Sequence, residues 1–307
     1  MSPAVPERPS LAIDGFEHRS AGPDARSIHY VTAGSTGPTV VLLHGFPETW
    51  FGWRALIPLL SPHYRVIAPD MTGLGESSRP ADGYEKTAVA ADIRSVLDAE
   101  QVTDYHLVAA DMGGMVGFPL AMTDRRRVRS FTFIASALPG FGLERLYDYS
   151  AIGVNAWYWT LFQHPTFGPM LTAGHQREML TNWAYRGSAL NPDAIPAEAI
   201  EIYLQTYADP EGWRAAIQYY ATLEQDARDN VRLIDEHGLL DIPTLGINGE
   251  QDARLSAATL ARVARNVRGV LIPDCKHWVA EEQPQQLSEL LLGFFADVEE
   301  GSTASSG

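Results

Sequence analysis

Runs of apolar residues without polar alternation constrain this chain more than any other feature. TVVLL (residues 39–43), HLVAA (106–110) and FTFIA (131–135) are mostly apolar on both faces of an extended segment, so both faces must be covered. Shorter β-rich runs occupy 28–32, 64–68, 244–247 and 270–272. Helical patterns separate many of them. Residues 87–100 place Val89, Ile93, Val96 and Leu97 on one helical face, and 255–266 and 284–298 behave alike. Strands alternating with helices predict an α/β fold, a mostly parallel sheet flanked by crossover helices. The early strands could pair antiparallel.

The alternation stops between Pro139 and about Asn230. This stretch is rich in Trp and Tyr, reads as helices and has no convincing strand; NPDAIPAEAIEIYLQTY looks like a helix entry followed by an amphipathic helix. The sheet resumes at Pro243. The expected division is a core of residues 1–138 and 231–307, with 300–307 unstructured, and a helical insertion of 139–230 after the sixth strand. An insertion at the C-terminal edge of a parallel sheet sits where open α/β folds bind ligands.

Composition narrows the function classes. The chain has 307 residues, 45% hydrophobic and 20% charged, enough for a large core. Its formal net charge of −15 repels phosphate backbones and argues against nucleic acid as a partner. Cys275 is the single cysteine, which rules out an intrachain disulfide and fits a reducing, cytoplasmic setting. The start, MSPAVPERPS, has neither a basic nor an apolar signal region, and apolar stretches such as LLLGFF are too short to span a bilayer, so no membrane association is expected. The histidines lack ligand spacing along the chain, and no metal or cofactor is expected. Oligomeric state is not legible; a homodimer is one option.

In AADMGG, Asp111 sits where strand should turn into helix, with Ala109 two residues before it and Gly113 two residues after. An aspartate there caps a helix well. The same surroundings also describe a nucleophile elbow, a turn so tight that its apex needs small neighbours. Three stretches favour the second reading. HGFPE follows the apolar run TVVLL, and its His44, Gly45 and Pro47 suggest a turn that brings backbone N–H groups near a ligand. Asp252 lies just beyond the run LGIN, and His277 just beyond VLIP. The order Asp111, Asp252, His277, each beyond a strand end, matches the α/β-hydrolase arrangement.

The chain resembles the α/β-hydrolase fold superfamily from about Ile28 to Phe295. Within it, HGFPETW, DMTGLGESSRP, AADMGG, the GEQD turn and KHWVAEEQP resemble the epoxide hydrolase branch, next to haloalkane and haloacid dehalogenases. Two departures stand at the elbow: Ala110 where these families usually carry His, and Ala109 for the usual Gly. Both are small enough for the turn to form.

A carboxylate at the apex has chemical consequences. Serine attacking a saturated carbon leaves an ether that water does not readily cleave; aspartate leaves an ester. Water activated by His277 and oriented by Asp252 can then attack the ester carbonyl of Asp111 itself. Backbone N–H groups of Phe46 and Met112 are expected to form the oxyanion hole and to favour ionised Asp111. Some relatives take the orienting acid from the end of the sixth strand. Here that stretch, FIASALPG, has no carboxylate, which leaves Asp252, with Glu250 as the alternative.

The leaving group separates epoxide from halide chemistry. An epoxide opens to an alkoxide and needs acidic donors such as phenols. The resemblance implies two such residues in the insertion: AIQYYATLEQDARDN matches the second donor segment at Tyr220, beside Tyr219, and NAWYWTLF matches the first at Tyr158. Tyr185, Tyr203 and Tyr207 are expected to be structural or exposed. Haloalkane dehalogenases usually carry Trp after the nucleophile and Asn or Trp after His-Gly, where this chain has Met112 and Phe46; the arginines of haloacid dehalogenases are also missing from MGGMVGFPLA. Phe46, Met112, Trp159, Phe162, Trp278, Trp50 and Trp53 are the expected walls of an apolar pocket for a neutral epoxide. The sequence thus points to an epoxide hydrolase that uses a small apolar epoxide and water. The alternatives are a hydrolytic dehalogenase on the same nucleophile and a non-catalytic ligand-binding protein of the same fold.

Overall fold

The non-alternating apolar runs become the middle of one eight-stranded sheet. The computed structural model describes residues 13–147, 157–253 and 255–304. Its strands are β1 (Glu17–Ala21), β2 (Ile28–Ala33), β3 (Thr39–Leu43), β4 (Arg65–Pro69), β5 (Tyr105–Ala110), β6 (Val128–Ile134), β7 (Leu240–Gly249) and β8 (Ala264–Ile272), in the order β1-β2-β4-β3-β5-β6-β7-β8. The β1–β2 and β2–β4 pairs are antiparallel; every later pair is parallel. All five residues of β3 are buried, as a strand covered on both faces must be.

Both edges depart from the sequence expectation. No strand was expected at β1, whose EHRSA is polar and largely exposed, a composition that keeps an edge from pairing with other chains. At the other edge, the helix expected over 255–266 ends at Val263 and β8 begins at Ala264, well before the expected 270. Arg265 and Asn266 are exposed there, so an apolar pattern does not reveal them.

Two helices cover the sheet near the site. Helix Lys86–Ala99 buries Val89, Ile93, Val96 and Leu97, each worth roughly 1.5–3 kcal/mol of apolar burial. Helix Met112–Thr123 packs between it and β5, and is buried from Met112 to Met122, which explains its lack of a polar face. The last helix, Pro284–Ala304, continues past Glu300 into the segment expected to lack structure; no proline interrupts it after Pro284.

Among the described residues between β6 and β7 there are helices and turns but no strand. These helices hang on the loops at the C-terminal ends of the strands. The hydroxyls of Tyr185, Tyr207 and Tyr219 donate to the carbonyls of Pro47, Glu48 and Thr72, and Trp278 Nε1 donates to Ala184 O. Tyr185, Tyr203 and Tyr207 are therefore buried structural residues, not exposed ones. A buried ion pair adds to this. Lys86 Nζ lies 2.7 Å from Asp226 Oδ2 and also donates to Tyr219 O, and Asp226 Oδ1 accepts from Lys86 N. Among the described residues, no helix is long and apolar enough to cross a membrane.

Candidate active site

The turn between β5 and helix Met112–Thr123 holds Asp111 at φ 48°, ψ −120°, a conformation costly for a residue with a Cβ. Its surroundings enforce it. Asp111 N donates to Ile134 O at 2.9 Å, and Ser136 Oγ donates to Asp111 O at 2.6 Å. A Cβ on Gly113 would meet His44 O at 2.4 Å, so the helix can start this close to β3 only with glycine there. The carboxylate makes no capping bond to its own helix. Instead Oδ1 accepts from Phe46 N at 2.9 Å, an approach possible because position 45 is glycine, where a Cβ would lie 2.6 Å from that of Asp111. The cap reading of Asp111 fails on this geometry.

His277 lies between two carboxylates: Nε2 is 3.7 Å from Asp111 Oδ2, and Nδ1 is 3.6 Å from Asp252 Oδ2. Both separations exceed a hydrogen bond, as catalytic contacts often do before substrate binds. Asn248 Nδ2 steadies Asp252 at 3.2 Å, and His277 N donates to Ser188 O. Glu250, the alternative acid, is exposed.

Burial and charge oppose each other here. Although 19% of the Asp111 side chain stays exposed, burial raises its pKa above the ordinary carboxylate value, against the pull of His277 and of the Phe46 and Met112 N–H groups. The backbone donors do favour the ionised form, but burial outweighs them. Burial alone would strip the proton from His277. The facing Asp252, with the charges of Asp111 and Glu48, outweighs it and pushes the imidazole up to about 9. Asp252 is likewise desolvated, yet His277 and its hydrogen-bond donors hold it below the ordinary value.

Asp111 and His277 border two spaces. One is a cavity of about 420 Å³, within the range of small-molecule sites, whose lining includes Tyr158, Trp159, Trp183, Met115, Leu143 and Lys276. The other is a cavity of about 10 Å³, the size for one water, bordered by Glu48, Trp53 and Trp278. Tyr220 is buried, with its ring centroid 5.3 Å from that of Phe46 and 6.0 Å from that of Tyr158.

Several expected walls lie elsewhere. Trp50 packs on Phe16, His18 and Phe51, because the short helix Trp50–Trp53 turns it away from the cavity. Phe162 is fully buried against Phe46, Trp213 and Tyr220, one layer behind the surface. Met112 is buried at the helix start, and Met115, one turn on, reaches the cavity instead. His44 is fully buried, with Nε2 accepting from Met71 N; burial lowers its pKa, as suits a neutral structural imidazole. Pro47 serves as the anchor for Tyr185.

Two contributors escaped sequence reasoning. Glu48 stood inside HGFPE but gave no sign that it would be buried beside His277. There, burial and the nearby Glu281 push its carboxyl up to about 8. Lys276 brings a cation to a cavity expected to be apolar, with Nζ donating to Gly187 O at 2.7 Å. Its place directly before His277 was the available signal.

The model of the alpha/beta hydrolase fold family matches residues 38–284. A soluble epoxide hydrolase of Corynebacterium sp. (strain C12) is 33% identical over 91% of this chain and 97% of its own length. The solved structure of the epoxide hydrolase CorEH superposes with a TM-score of 0.80 at 28% identity, over 92% of this chain and 99% of that one. A fluoroacetate dehalogenase of Burkholderia sp. is 26% identical over 94% of this chain and 97% of its own length.

Proposed function

Because the chain belongs to the α/β-hydrolase fold family and is an epoxide-hydrolase-like member of it, we propose that it converts a small epoxide to a vicinal diol through an ester on Asp111. Residues 139–230 act as the cap over the site. The observation that carries this reading is the placement of the Asp111 carboxylate. It is held by Phe46 N, faces His277 and borders a cavity that Tyr158 also lines.

Asp111 attacks a ring carbon and breaks its C–O bond while Tyr158 and Tyr220 donate hydrogen bonds to the epoxide oxygen, which stays on the neighbouring carbon as an alkoxide and takes its proton from one of the two phenols. The ester then faces a water in the small cavity bordered by Glu48, Asp111 and His277. His277 takes a proton from that water, Asp252 stabilises the imidazolium, and the N–H groups of Phe46 and Met112 bind the oxyanion. The charges explain the order of steps. In the free enzyme the Asp111 carboxylate helps keep His277 protonated. Alkylation removes that charge, so the imidazole loses its proton more easily when a base is needed.

One observation favours a second reading, hydrolytic dehalogenation. Two indoles, Trp159 and Trp183, line the cavity and can offer N–H donors to a halide. A single assay separates the two. Incubation with styrene oxide, a haloalkane and a haloacid, each alone, should yield diol and no free halide. Halide without diol would establish the second reading. Neither product, together with no ester on Asp111, would leave a ligand-binding protein of the same fold.

A further inference from the structure

We propose that His18, His29 and Glu76 bind one divalent transition-metal ion of the zinc class, at a site separate from the triad. The histidines are eleven residues apart in sequence and show no ligand motif, but the β1–β2 register joins them. Ser20 faces His29 and His18 faces Val31, so His18 and His29 are diagonal neighbours on one face of the sheet. His18 Nδ1 is 2.9 Å from His29 Nε2, and Glu76 Oε2 is 3.3 Å from the same nitrogen. The three donor atoms lie within 4.8 Å of one another. Tetrahedral zinc with metal–nitrogen bonds near 2.05 Å needs ligand atoms about 3.3 Å apart. A shift of a few tenths of an ångström between the imidazoles would admit the ion.

The surroundings supply what a ligand set of this kind requires. His29 Nδ1 lies 2.8 Å from Asp70 Oδ2, with both side chains buried. That contact fixes the ring and leaves Nε2 to carry a lone pair toward His18, the arrangement in which a carboxylate orients a metal-bound imidazole. Asp70 is itself fixed, accepting from Trp50 N and Glu76 N. The carboxylates of Asp70 and Glu76 balance a dication. Two imidazoles and one carboxylate suit zinc and its transition-metal neighbours and are poor ligands for magnesium or calcium. Bound there, the ion would tie the polar edge strand β1 to the turn that follows β4, and through Asp70 to the start of the short helix Trp50–Trp53.

The test is calorimetric titration of tag-free, chelator-treated protein with zinc chloride, with His18→Ala and Glu76→Gln in parallel. Both substitutions are at exposed side chains, and Glu76→Gln keeps the backbone bond to Asp70. The expected result is one ion per chain, an affinity at least about tenfold weaker in each variant, and a zinc-dependent rise in Tm that both variants lose. Magnesium should not compete. No binding by the parent protein, or an affinity unchanged in either variant, would overturn the proposal.

Discussion

On the sheet side of the cavity, Asp111 is fixed by backbone: a strained turn, Phe46 N, and glycines that let β3 and the helix start approach. On the helical side, Tyr158, which lines the cavity, and Tyr220, buried outside its lining, are placed by ring packing. Tyr158 sits against Trp183 at 4.5 Å and Tyr220 against Trp159 at 5.1 Å, and the helix that carries Tyr220 hangs on the hydrogen bond from Tyr219 to Thr72 O. The position of Asp111 therefore tolerates little substitution nearby. The helical side can exchange aromatic residues while its frame persists, which is where substrate choice can vary within one fold.

The largest expected effect breaks the sheet side. Asp111→Asn should lower kcat on the order of 10⁴-fold or more, measured with styrene oxide. Next comes the frame of the helical side. Lys86→Met leaves Asp226 buried without its ammonium partner, at a cost of about 3–5 kcal/mol in urea unfolding. A loss under 1 kcal/mol would mean that the pair does not hold the helices down.

A donor substitution tests the helical side's own chemistry. Tyr220→Phe should slow alkylation on the order of 10²-fold in a single turnover and leave ester hydrolysis unchanged. Equal slowing of both steps would mean that Tyr220 shapes the cavity rather than assisting ring opening. The smallest effect concerns the coupling between steps. Hydrolysis of the ester needs neutral His277, so its rate should rise with pH through the imidazole's pKa. In the free enzyme that value is about 9. In the ester, without the Asp111 charge, the midpoint should lie below that value. A midpoint at or above 9 would remove the charge argument.

The same contrast explains what was legible in the sequence. The inner strands and the meeting of Asp111, Asp252 and His277 could be read because both-face burial and a tight turn restrict residue type at each position. Asp111, Asp252 and His277 each lie just beyond a strand end marked by an apolar run. The edges β1 and the start of β8 could not be read, since exposed strands carry no burial pattern. The walls were harder still. Phe162 and Trp159 are three residues apart on one helix, yet one is packed behind the wall and the other lines it. Helical spacing gives the face of a residue but not its depth. Glu48 and Lys276 were missed for a related reason: their setting is made by segments distant in sequence.

The most direct test of the central claim is the mass of the His277→Gln protein after incubation with styrene oxide. Without its base the enzyme should form the ester and fail to release it. The expected result is a gain of one substrate mass, mapped to the peptide containing Asp111 and absent from an Asp111→Asn, His277→Gln double variant. An unmodified protein, or an adduct on any other residue, would contradict it.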